Sequence, residues 1–170
     1  MRKTWKTMLW RALQHVKKGF YIDMGAYFSD KDSVTKLFYE KAWCGVNVEP
    51  NSEYHTELTK KQPRDKSFRF VLSNKSGLTE INILNFAESN LSTGLSTLDR
   101  DLATKHVTAS YLIKTYRVES LTLAKLIKKY ITVSQEIHFL KINVEGLEKE
   151  VIESNNWRRY QPWVVLAESI

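Results

Sequence analysis

Two carboxylates stand directly after short apolar runs: Asp23 after Phe20-Tyr21-Ile22, and Glu49 after Gly45-Val46-Asn47-Val48. In an open α/β sheet, ligands bind beyond the carboxyl ends of the strands, near the point where the strand order reverses. A carboxylate at the end of the second strand suits the two hydroxyls of a ribose. The first turn, Asp23-Met24-Gly25-Ala26, holds a single glycine. It lacks the G-x-G-x-x-G spacing that brings backbone close to a pyrophosphate. These residues point to a nucleoside ligand without phosphates. The plainer reading is that Asp23 and Glu49 cap helices or pair with lysines.

The elements that must hold these groups follow from hydrophobic periodicity. Phe20 to Ile22 reads as a buried strand, and residues 31–42 as a helix with Val34, Leu37, Phe38 and Ala42 facing inward. Gly45 to Val48 is a second buried strand, followed by a helix over 51–61 capped by Asn51 or Ser52. Phe68 to Leu72 reads as a third strand, and Leu78 to Leu84 as a strand with one exposed face. Residues 85–110 read as a long polar connection, and Arg117-Val118-Glu119 as a short extended piece. Ser120 is placed to cap a helix running to Tyr130, with Leu123, Ala124 and Ile127 on one face. Ile137 to Ile142 is a fourth buried strand, 145–154 a helix, and Trp163 to Ala167 a fifth strand. Such alternation predicts a parallel sheet wrapped by helices, with right-handed crossovers.

Composition removes several function classes. At 170 residues the chain is about one domain long. One Cys and four scattered His give neither a disulfide framework nor metal-ligand spacing. The net charge of +7 sits at one end: residues 1–22 carry six basic groups and no acid, leaving 20 basic and 19 acidic groups in the rest. A near-neutral body argues against a nucleic-acid surface. Trp5, Met8, Leu9, Ala12, Leu13 and Val16 mark one helical face in residues 1–18, which Gly19 is placed to end. That amphipathic helix either packs on the following domain or lies on a membrane surface, where Trp5 and Trp10 beside lysines would suit the interface. An acid-free amphipathic start is also the pattern of a transit peptide. Cys44, between Trp43 and Gly45, reads as a small buried residue, and His138 as a structural histidine inside a strand.

The series Phe20-Tyr21-Ile22-Asp23-Met24-Gly25-Ala26, Asp32 to Tyr39 and Gly45-Val46-Asn47-Val48-Glu49-Pro50 resembles the FkbM family of S-adenosylmethionine-dependent methyltransferases. The likeness continues through Gly94-Leu95-Ser96-Thr97-Leu98-Asp99 and His106, then Phe139 to Gly146, then Trp157-Arg158-Arg159 to Glu168. The resemblance implies an α/β, Rossmann-like class I methyltransferase sheet with flanking helices, and methyl transfer to a hydroxyl of a glycan or small metabolite. S-adenosylmethionine is a nucleoside without phosphates, and its sulfonium suits an acidic strand end. Carried over residue by residue, Asp23, Gly25 and Ala26 would line the methionine side of the cofactor. Glu49 would hold the ribose and Ser73 would sit beside the adenine. Lys141, Asn143 and Glu145 would face the methyl and the acceptor, with Glu145 or His106 as general base.

Three departures stand out. Tyr27 replaces a small polar amide of the family, and Asn143 replaces the Asp of its K-I-D-V-E-G motif. The sequence given also stops after the fifth strand, so the domain over 19–170 is expected to lack a final antiparallel pair. Such a sheet is expected to end on an unprotected edge, through which two copies would pair. The enzyme is expected in the cytoplasm, with a hydroxyl acceptor, no nucleic acid and no metal. The competing expectation is a truncated or degenerate fold that keeps a binding or scaffold role without turnover.

Overall fold

The computed structural model describes residues 2–27, 33–86, 92–97 and 111–167. Helix α1 (Arg2–Leu13) leads into β1 (Phe20–Met24), then α2 (Val34–Glu40), β2 (Cys44–Val48), α3 (Ser52–Lys61) and β3 (Lys66–Phe68). Strands β4 (Val71–Leu72), β5 (Gly77–Phe86), β6 (Ser92–Thr97) and β7 (Tyr111–Leu121) follow. Helix α4 (Leu123–Tyr130), β8 (Phe139–Ile142), α5 (Glu148–Glu153) and β9 (Val164–Ala167) complete the described chain. The main sheet has five strands in the order β3-β2-β1-β8-β9, and every recorded pair in it is parallel. The order runs outward in both directions from β1 and β8. That pair is therefore the reversal point, and it aligns Asp23 with Lys141 and Met24 with Ile142.

The central strands read as continuous apolar runs because both faces of a parallel sheet are covered. On one face, Ile22, Met24, Val46, Val48, Leu140 and Ile142 pack with Leu123, Leu126 and Ile127 of α4 and Val151 of α5. On the other, Tyr21 and Phe139 pack with Leu9 and Leu13 of α1, Val34 and Phe38 of α2, and Trp43. The second sheet, ordered β4-β7-β5-β6, joins the first core through Leu72 and Leu121.

Several elements differ from the sequence reading. The apolar run at 68–72 splits: Phe68 pairs with Val48 in the main sheet, whereas Val71 pairs with Ser120 in the second. Both pieces bury apolar side chains, so hydrophobicity alone carries no mark of the crossing. The supposed connection over 85–110 contains β6, paired antiparallel with β5. The short extended piece at 117–119 is part of an eleven-residue strand, β7. Ser120 lies in that strand, and Thr122 caps α4 by accepting from the Lys125 N–H. Helix α2 spans Val34–Glu40, and Ala42 is exposed beyond it at φ 65°. Cys44 is half-buried rather than buried.

Helix α1 ends at Leu13, before Gly19. Gly19 serves packing instead: a Cβ there would lie 2.3 Å from the Trp43 ring. The inner stripe of α1 is part of the domain, with Leu9 and Leu13 buried and Val164 and Leu166 of β9 against the same cluster. Val165 on the other side of β9 and Trp163 just before the strand are 41% and 51% exposed. Because Leu13 fills the core on this face, Leu13→Ala should lower folding stability by about 2–4 kcal/mol. Denaturant unfolding checks this, and an unchanged midpoint would mean that α1 is not part of the cooperative unit.

Candidate active site

The site is built at the carboxyl ends of β1, β2 and β8. Asp23 sits there with no exposed surface. Its Oδ1 accepts from Lys141 Nζ at 2.7 Å, and its Oδ2 accepts from Thr35 Oγ1 at 2.8 Å. Lys141 Nζ also donates to the Gly25 carbonyl at 3.0 Å. A buried carboxylate without such partners would cost several kcal/mol. One charge from β8 and one hydroxyl from α2 thus hold the end of β1.

Gly25 is required by geometry. Its φ is 69°, and a Cβ would meet the Asn143 carbonyl oxygen at 1.8 Å. The two loops that follow β1 and β8 touch here, and Asn143 N–H donates to the Met24 carbonyl at 3.0 Å. Tyr27 and Glu145 adopt φ 47° and 51°, and Gly146 adopts 98°. Non-glycine residues in this region cost about 1 kcal/mol each and cluster at functional sites. Glu148, the first residue of α5, accepts from the Val144 and Gly146 N–H groups at 2.8 and 3.0 Å. It braces the turn that presents Asn143 and Glu145, which are both half-buried.

The opposite wall is Glu49, which is 5% exposed. Its Oε1 accepts from Asn51 N–H at 2.9 Å and its Oε2 from Tyr27 N–H at 3.0 Å. Burial pushes its pKa up to about 7, against the pull of those two N–H groups and of Lys141. The Tyr27 ring rests edge-on against Tyr54, with ring centres 4.8 Å apart. In the intervening loop, the Gly25 and Ala26 N–H groups both donate to the Val48 carbonyl, at 3.0 and 3.5 Å. All three loop N–H groups from Gly25 to Tyr27 are therefore used inside the protein. None is left to cradle a phosphate, whereas each Glu49 oxygen accepts one N–H and, among the described residues, keeps a lone pair for a hydroxyl.

Of the residues singled out in the sequence, the structure gathers Asp23, Gly25, Ala26, Glu49, Lys141, Asn143 and Glu145 around these strand ends. Ser73 follows β4 in the second sheet, half-buried and sharing hydrogen bonds with Ser120 and Lys75. His106 lies outside the described residues. His138 is remote: its Nδ1 accepts from Phe20 N–H, its ring lies between Trp43 and Trp163, and burial holds its pKa below the usual value. Thr35, Asn51 and Glu148 were missed as site residues. Each is a small polar or acidic residue in the first turn of a helix or just before it, which in sequence reads only as capping. Among the described residues, no group of three or more His, Cys, Asp or Glu could hold a metal ion.

The sequence profile of the methyltransferase FkbM domain matches residues 23–169. The chain belongs to the FkbM methyltransferase family. No curated protein and no solved structure matches it. In this FkbM methyltransferase the match begins at Asp23, near the end of β1, and it covers every residue gathered at the strand-end site.

Glu49 sets a pH dependence. Its folded pKa of about 7 lies above the ordinary 4.5, so between those values the folded chain keeps a proton that the unfolded chain releases. Its contribution to stability is full below pH 4.5 and is lost as pH rises to 7, by about 3 kcal/mol in all. The stability difference between wild type and Glu49→Gln should drift by that order over this window in urea melts at stepped pH. A difference independent of pH would contradict the burial of the charge.

Proposed function

We propose that this methyltransferase uses S-adenosylmethionine and methylates a hydroxyl oxygen of a glycan or small metabolite, in the cytoplasm. The observation that carries the reading is Glu49, a buried carboxylate at the end of the second strand with lone pairs open to a ribose diol. The closed N–H groups of Gly25 to Tyr27 support a donor without phosphates. Gly25 and Ala26 would lie along its methionine side, and Ser73 beside the adenine. When bound, S-adenosylmethionine supplies an activated methyl on a sulfonium sulfur.

The protein's task is then positioning. With the donor held by Glu49 and the loop of Gly25 and Ala26, the acceptor oxygen would displace sulfur from the methyl carbon, the electron pair of the carbon–sulfur bond staying on sulfur. The hydroxyl proton goes to a base, for which Glu145 is the described candidate beside Asn143. The Asn143 amide can orient the hydroxyl but cannot take its proton. That same residue favours the second reading, a fold that binds without turnover.

Titration with S-adenosylhomocysteine tests the proposal. Wild type should bind, and Glu49→Ala should lose about 1–3 kcal/mol of affinity because two hydroxyls lose their acceptor. Equal affinities would remove Glu49 from the site. A wild type with no affinity would turn the assignment to the scaffold reading.

A further inference from the structure

We infer that Thr35 and Lys141 are positioning residues that set the cofactor loop through Asp23, and that Asp23 itself touches no ligand. The inference rests on the proposed donor site, and it gives these three residues a different task from lining that site. Asp23 has no exposed surface, and both of its carboxylate oxygens already have a partner. Lys141 links that buried charge to the Gly25 carbonyl, in the loop whose N–H groups face β2 and Glu49.

Thr35 is the unexpected member. It is 1% exposed and lies in the first turn of α2, whose cap is Ser33, accepting from Lys36 N–H. The Thr35 hydroxyl is therefore not used as a cap. Its proton goes to Asp23 Oδ2, so in the 3.0 Å contact between the two hydroxyls Ser33 must be the donor. The bonds run in one direction, from Lys36 N–H to Ser33, to Thr35, to Asp23. Aligned bonds of this kind polarise one another and aim at the charged end. Without the Thr35 hydroxyl, one oxygen of a buried carboxylate has no donor among the described residues. The carboxylate then turns toward what remains, and Lys141 loses its fixed place over Gly25.

The experiment compares wild type, Thr35→Val and Thr35→Ser in the full chain. It reads S-adenosylhomocysteine affinity by calorimetry, and hydrogen exchange of the Gly25 to Tyr27 amides in the ligand-free protein. Thr35→Val should weaken binding about tenfold and speed loop exchange by a similar factor. Thr35→Ser, which keeps the hydroxyl, should stay close to wild type in both. Weaker binding with unchanged ligand-free exchange would mean direct contact with the nucleoside and would overturn the inference. So would unchanged binding and exchange in Thr35→Val, or an equal loss in Thr35→Ser. If Thr35→Val does not fold, the neutral double variant Asp23→Asn with Lys141→Met serves instead. It should speed exchange at the loop and leave the β2 amides protected, and an unchanged loop would refute the clamp. A wild type without affinity would fell the donor proposal, while the exchange measurement still decides the clamp.

Discussion

A fully buried carboxylate at the end of β1 is the constraint on which the rest of this site depends. Asp23 lies on the strand beside the sheet's reversal point, so whatever neutralises it must come from the neighbouring elements. Lys141 comes from β8, the strand on the far side of that point, and Thr35 from the helix that follows β1. Losing Lys141 would leave a desolvated charge, at a cost comparable to a large part of a domain's net stability, whereas losing the Thr35 hydroxyl would remove one hydrogen bond to it. The pairing thus couples the folding of the sheet's centre to the shape of the loop that faces the ligand.

The same face of the sheet changes character along its length. Near the amino ends of the strands, Tyr21 and Phe139 stack at 5.4 Å, with Phe38 and Trp43 around them. Asp65 closes this zone, accepting from Tyr21 Oη, Gly45 N–H and Asn47 Nδ2. Burial raises the pKa values of both Tyr21 and Asp65, which keeps the phenol proton between them. Beyond Asn47 and Asp23 the face becomes the site. Glu49 stands at its far wall, where burial makes the charged form costly. A hydroxyl-bearing ligand would offset that cost, which favours occupancy over the empty state.

Much of this was legible in the sequence. The runs at 20–22, 45–48 and 137–142 are mostly apolar and bounded by polar or small residues, the pattern expected of strands covered on both faces. Glu49 stood out because a charge directly after such a run demands a reason. What stayed hidden depended on contacts between distant segments. The split at 68–72 depends on β7, which pairs with Val71 from nearly fifty residues away in sequence. The left-handed backbone at Tyr27 and Glu145 falls beside Gly25 and Gly146 rather than only on them, so the glycines do not mark those positions. Thr35 looked like one more polar residue at a helix start until its hydroxyl was seen to reach Asp23.

The account's central claim is that the strand ends around Gly25, Glu49 and Asn143 form one nucleoside site. Backbone amide shifts in the full chain, recorded while S-adenosylhomocysteine is added, test it most directly. The largest changes should fall at Gly25 to Tyr27, at Glu49 to Asn51 and at Asn143. Shifts gathered at the other pole, in the groove between α4 and the segments that precede β8 and β9, lined by Lys128, Glu136, Arg159 and Trp163, would contradict it.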